Sequence, residues 1–278
     1  MEAGISVPKT VVVLGMHRSG TSVVGGVLHA LGVDMGTRVE REGWVGKHWS
    51  NPTGHFENPD FVAFDYRVLG GDATGIRGRP RWEDLATRAP EFAAEARSLV
   101  HRFRSPLWGW KDPWTVLTLE LFLPYLDAPH FVFVRRPKEQ VLASLRKRST
   151  AQDSEIAELF DLYQERLARL KDQLRAYPIL EIDYPQMVED PGPTVRSLIE
   201  FLGLRPTREE LERALGMVLD GDRLRRESQR MAVYGVFGFP KWVAWIVKRD
   251  LQNNPVVVAA DLLSSVPREL FQMFRTLV

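Results

Sequence analysis

The chain of 278 residues contains no cysteine, which excludes disulfides and thiolate-bound metals as sources of stability or chemistry. It also lacks an excess of either charge: 37 Lys and Arg stand against 36 Asp and Glu, for a net charge of +1. No whole-molecule field therefore draws it to nucleic acid, and no nucleic-acid partner is expected. A membrane span is missing too. Residues 11–33 are mostly apolar, but His17, Arg18 and His29 interrupt them well before the ~20 apolar residues that a span needs. The start Met1-Glu-Ala-Gly-Ile5 has neither a basic n-region nor a long apolar core, so a cytoplasmic location is expected. Internal repeats and low-complexity blocks are absent. What the chain does have is 44% hydrophobic residues, enough for one sizeable α/β domain.

The segment Val11-Val-Val-Leu-Gly-Met-His-Arg-Ser-Gly-Thr-Ser22 carries the most information. A β-branched run breaks at a glycine-bounded loop and then enters an apolar helix. Backbone N–H groups between Gly15 and Ser22, with the positive end of that helix, would cradle an anion. The candidate binding residues are His17, Arg18, Ser19, Gly20, Thr21 and Ser22. Laid over the nucleotide loop G-x-x-x-x-G-K-[ST], Gly15, Gly20 and Ser22 fit, while Thr21 stands where the lysine belongs. Arg18 supplies a cation from inside the loop instead.

Short apolar runs at Thr10–Leu14, Leu107–Trp110, His130–Val134 and Ile179–Ile182 predict strands. Helical stripes lie between or beside them, among them Val23, Val24, Val27, Leu28 and Leu31, and Ile156, Leu159, Phe160, Tyr163, Leu167, Leu170 and Leu174. Strands alternating with helices predict an α/β fold, a parallel β-sheet flanked by helices. Ligands of such sheets lie beyond the C-terminal strand ends, where Arg18, Lys111 and Arg135 all fall.

Gly15-Met-His-Arg-Ser-Gly-Thr-Ser22 resembles the bacterial variant of the loop by which sulfotransferases hold the 5′-phosphosulfate of 3′-phosphoadenosine 5′-phosphosulfate, PAPS. His130-Phe-Val-Phe-Val-Arg-Arg-Pro…Ser144 is similar to that family's 3′-phosphate site, an arginine at a strand end followed eight residues later by a serine. Aligning on Pro137 selects Arg135, with Ser144 at plus nine, whereas counting back eight from Ser144 selects Arg136; Arg135 is favoured because it ends the apolar strand. Leu180-Glu-Ile-Asp-Tyr-Pro-Gln…Asp190-Pro…Phe201-Leu-Gly203 resembles a further family stretch, with Pro191 and Pro193 suited to a helix entry and Gly203 to its end. The resemblance implies a P-loop sulfotransferase fold, PAPS as donor, and no metal.

Trp108-Gly-Trp-Lys-Asp-Pro-Trp114 occupies the place of the family's Lys-x-His, so Lys111 would contact the transferring sulfuryl group while Pro113 displaces the histidine base. The base must come from elsewhere. Asn51-Pro-Thr-Gly-His-Phe-Glu-Asn58 resembles a bacterial and carbohydrate sulfotransferase block, which makes Glu57 the expected base, with Asp112 and His55 as competitors. His48, His55 and Glu57 lack the spacing of a metal set. The catalytic residues are thus expected to be Arg18, Glu57 and Lys111, and the acceptor a hydroxyl on a carbohydrate or glycolipid. A P-loop kinase, which would need the missing loop lysine, and a non-catalytic nucleotide-binding protein are the alternatives.

Composition shifts after about residue 220, where paired arginines give way to an aromatic-rich tail. Residues 1–220 are read as the catalytic domain and 221–278 as an extension packed on it. Gly235-x-x-Gly238 is faintly similar to a family segment that closes over the 3′-phosphate, and the Trp242–Arg249 stretch would suit peripheral membrane contact as well as ordinary packing.

Overall fold

The computed structural model describes residues 8–36, 54–70, 85–146 and 152–219. The chain divides into two units, Met1–Leu224 and Arg225–Val278. The tail motifs, His48 and Asn51-Pro-Thr53 lie outside the described residues.

Each predicted strand is present: β1 (Lys9–Leu14), β2 (Leu107–Lys111), β3 (Pro129–Arg135) and β4 (Ile179–Asp183). They pair in parallel in the order β2-β1-β3-β4. Val11, Val12, Val13 and Leu14 are all fully buried, because helices cover both faces of the sheet. That is why the strand reads as an unbroken apolar run rather than an alternating one.

The helices are α1 (Thr21–Ala30), α2 (Pro59–Leu69), α3 (Leu85–Phe103), α4 (Thr115–Phe122), α5 (Lys138–Arg146), α6 (Asp153–Gln173), α7 (Tyr184–Glu189) and α8 (Pro191–Leu202); residues 208–219 are also helical. Side chains alternate along each strand and so sort into two cores. Val11, Val13, Val132 and Val134 pack with α1, α7 and α8, while Val12, Leu14, Phe131 and Phe133 pack with α2 to α6. The tryptophans of the Trp108-Gly-Trp110 motif belong to the second core, where Phe61 stacks on Trp110 with ring centroids 4.4 Å apart. Lys111, of opposite parity, leaves that core for the α1 side of the sheet.

Local chemistry sets the helix ends. Asn58 caps α2 by accepting the Asp60 amide at 3.0 Å, Pro59 follows at the first helical position, and Gly70 closes the helix in a left-handed conformation. Asp190, Pro191 and Gly203 do the same for α8, as the prolines and glycine of its sequence predict. Because β2 and β3 lie on opposite sides of β1, the chain crosses over β1 between them, which leaves a crevice beyond the C-terminal end of β1. The candidate residues gather there.

Candidate active site

The turn after β1 is drawn tight by Ser19, whose amide and hydroxyl both donate to the Met16 carbonyl, at 3.1 and 2.7 Å. Ser19 is buried and shapes the cradle; its own donors are spent within the loop. Gly20, with φ of 105°, turns the chain into α1, and no side chain could replace its hydrogen, since a Cβ would lie 1.9 Å from the Tyr184 ring. Thr21 and Ser22 then present first-turn amides that have no intrahelical acceptor. Arg18 sits in the left-handed region at φ 67°, a conformation uncommon for a side chain of this size. Its Nε donates to Ser144 Oγ on α5 at 2.9 Å. His17 packs edge-on against Trp114 and Tyr163, with centroids 4.8 and 5.8 Å away.

The strand-end arginines part company. Arg136 Nη1 donates to the Arg18 carbonyl at 3.0 Å, and its guanidinium lies 4.9 Å above the Tyr184 ring. Arg135 is 67% exposed in its side chain and pairs with Asp183 at 3.4 Å. Arg136 therefore joins Arg18 and Ser144 around the loop, where Arg135 had been favoured. Strand parity is the reason: position 136 continues the face of Val132 and Val134, which is the α1 face, while 135 continues that of Phe131 and Phe133. Tyr184 belongs to the stretch that resembles a further family block, and its sequence context assigns it no role at the loop. It stands at the C-terminal end of β4, the position that should have marked it.

At the other side of the loop, Lys111 Nζ donates to Ser22 Oγ at 3.1 Å and to Glu57 Oε1 at 2.5 Å. Lys111 is 1% exposed and Glu57 18%, so the ammonium is enclosed while the carboxylate retains an outward face. Burial pushes the Glu57 carboxyl up, but the charges of Lys111, His55 and His17 outweigh it and hold Glu57 below the usual carboxylate range. Glu57 is thus ionised at neutral pH and able to accept a proton.

Asp112 is in a different state. It lies beside Asp65 on α2, and both are buried. Thr118 and Thr115 donate to Asp65 at 2.6 and 2.9 Å, Trp110 Nε1 donates to Thr115 at 3.0 Å, and the Trp114 amide donates to Asp112 Oδ1 at 3.2 Å. Burial, then the charges of Asp65 and Glu57, drive Asp112 well above the ordinary range. Burial likewise lifts Asp65 from 3.8 to about 7. Two enclosed carboxyls with no donor between them hold a proton in common. A protonated Asp112 cannot serve as a base, which favours Glu57 over this competitor.

The pair has a consequence for stability. Below pH 3.8 Asp65 is protonated in both folded and unfolded chains; between there and about 7 only the folded chain keeps the proton. Its contribution to stability is therefore complete at low pH and declines as pH rises through that window. Asp112→Asn supplies an amide donor to Asp65 and should flatten this decline. Urea unfolding at pH 5 and pH 7 measures it, and an unchanged difference between the two would remove the shared proton.

Among the described residues, no group of three or more His, Asp or Glu could hold a metal ion, and no helix is long and apolar enough to cross a membrane. The candidate residues come from the turn after β1, the approach to α2, the ends of β2 and β3, and α5.

The profile of the sulfotransferase family matches residues 8–209. No curated protein matches the sequence. Among solved structures, the sulfotransferase domain from the curacin biosynthetic pathway is 18% identical, with 74% of this chain and 77% of that one covered and a TM-score of 0.44. Sulfotransferase STF1 from Mycobacterium tuberculosis H37Rv is 18% identical over 76% of this chain and 71% of its own, with a TM-score of 0.45. The sulfotransferase domain of the Synechococcus PCC 7002 olefin synthase is 16% identical over 79% and 82%, with a TM-score of 0.49. With its family profile spanning the sheet, the loop and every described candidate residue, the chain belongs to the sulfotransferase family.

Proposed function

We propose that this sulfotransferase takes a sulfuryl group from PAPS and transfers it to a hydroxyl of a carbohydrate or glycolipid in the cytoplasm. The observation that carries the reading is the placement of Lys111 between Ser22 at the start of α1 and Glu57, one cation bridging an anion cradle and an ionised base. The donor set suits the ligand: the amides of α1 with Arg18 and Lys111 for the 5′-phosphosulfate, and Arg136 with Ser144 for the 3′-phosphate, Arg135 lying next along the chain. Tyr184, its ring already under the Arg136 guanidinium, keeps that fork in place.

PAPS, when bound, supplies the sulfuryl group and leaves as adenosine 3′,5′-bisphosphate. Glu57 takes the proton of the acceptor hydroxyl as its oxygen bonds to sulfur. Lys111 and Arg18 neutralise the negative charge that grows on the departing phosphate oxygen as its bond to sulfur breaks, and they are aligned before the reaction starts.

Calorimetry tests the donor. Adenosine 3′,5′-bisphosphate should bind far more tightly than AMP or ATP, without magnesium. Arg136→Ala should cost about tenfold to a hundredfold in that affinity, the usual worth of a charged hydrogen bond. Arg135→Ala should cost little. Equal affinity for AMP and the bisphosphate would remove the 3′-phosphate site, and loss of affinity in Arg135→Ala alone would return it to the strand end.

A further inference from the structure

Glu57 follows a costly piece of backbone. Gly54 has φ of 104° and Phe56 φ of 52°, and the second is a region that a bulky side chain rarely enters. Phe56 is nonetheless 8% exposed and packed on α1. There the helix carries two successive glycines, in the interior where glycine is the poorest choice apart from proline. A Cβ on Gly26 would lie 2.9 Å from Phe56 Cε2 and 3.1 Å from Cζ. One on Gly25 would lie 3.1 Å from Phe56 Cβ and 3.8 Å from Lys111 Cβ. Ordinary carbon contacts are ~3.5–4.0 Å, so the bare helix surface is what admits the ring.

On the other side of Glu57, Asn58 is buried and tied to the Asp60 amide at 3.0 Å. Glu57 thus stands between two fixed neighbours, and Gly25 lies under both Phe56 and Lys111. We propose that Phe56 is a positioning residue: its ring, seated on the Gly25–Gly26 step of α1, holds the Glu57 carboxyl against Lys111. This rests on Glu57 being the base of the proposed transfer. It accounts for both the two helix glycines and the left-handed phenylalanine, which are unfavourable separately and compatible together.

The test uses Gly26→Ala, Gly25→Ala, Phe56→Leu and the double variant Gly26→Ala/Phe56→Leu, with Glu57→Gln as reference. Two quantities are read: release of adenosine 3′,5′-bisphosphate from PAPS with water as acceptor, and titration of the Glu57 carboxyl by carbon NMR, assigned by its loss in Glu57→Gln. Gly26→Ala should slow release roughly tenfold, since displacements below 1 Å at a reacting group already cost this much. It should also move the Glu57 titration upward, because the carboxyl loses Lys111 but stays enclosed. Bisphosphate affinity should be unchanged. Alanine favours the helix itself, but its Cβ would also meet Met217 Cε at 3.2 Å, so a purely structural effect would change the melting temperature and leave the Glu57 titration in place. Leucine lacks the Cε2 and Cζ atoms that alanine at 26 would meet, so the double variant should recover part of both losses, a coupling that independent sites do not show.

Unchanged release and titration in Gly26→Ala, or additive losses in the double variant, would overturn the seat. If Gly26→Ala does not fold, Gly25→Ala, which asks for a smaller shift, gives the same readings. A displaced titration together with full activity in Glu57→Gln would keep the seat and sink the assignment of the base instead.

Discussion

Glu57→Gln is expected to lower turnover by roughly 10²–10⁴-fold, the worth of a positioned general base, while affinity for adenosine 3′,5′-bisphosphate stays within a factor of about two of wild type. Glutamine keeps the length of the side chain and can accept the Lys111 hydrogen bond through its carbonyl, but it cannot take a proton. Because Lys111, His55 and His17 hold the wild-type carboxyl below the usual range despite its burial, Glu57 is ionised across the neutral region. The wild-type rate should therefore carry no acidic limb between about pH 6 and 8 from this group. Steady-state release of the bisphosphate from PAPS, with an alkyl glycoside or water as acceptor, measures the loss. Lost bisphosphate binding in Glu57→Gln would make the residue structural. Near-normal turnover would pass the role to His55, whose profile would bend near pH ~6.5.

Lys111→Met should reduce turnover by roughly 10²–10³-fold, the usual effect of deleting one preorganised donor from a developing charge. Methionine retains the apolar stem in a site where Lys111 is 1% exposed, so packing is largely kept. The change also strips Glu57 of its main opposing charge. Burial is then opposed only by the charges of His55 and His17, and the Glu57 carboxyl rises. The sign is definite: residual activity needs the carboxylate, so it should fall as pH drops through the raised pKa, an acidic limb that wild type lacks. A pH–rate profile from 5 to 9 reads both effects. A residual rate that is flat with pH would separate Lys111 from Glu57 in solution, and an undiminished rate would leave Lys111 as packing only.

Much of this was legible in the chain. Four apolar runs became four parallel strands, and the loop at Gly15–Ser22 became the turn from β1 into α1. Lys111 and Glu57, read as sulfuryl contact and base from separate stretches, meet at 2.5 Å. Other features were hidden because they depend on which face a residue shares with a distant one. Asp65 carries no motif, and its partnership with Asp112 exists only because α2 packs over the end of β2. The Gly25–Gly26 step looks like a weak spot in a helix until Phe56 is seen upon it.

Local sequence alone determined the strand–turn–helix units, since β-branched runs, caps and left-handed glycines act within a few residues. It also determined which residue types reach the C-terminal ends of the strands. Only the tertiary structure placed Arg136 beside Arg18 and Arg135 beside Asp183, and set the surroundings of Asp112, which drive its carboxyl up, apart from those of Glu57, which hold its carboxyl down. Strand parity acquires meaning once helices cover particular faces of the sheet, and a carboxyl's charge follows from what encloses it and what cation stands beside it.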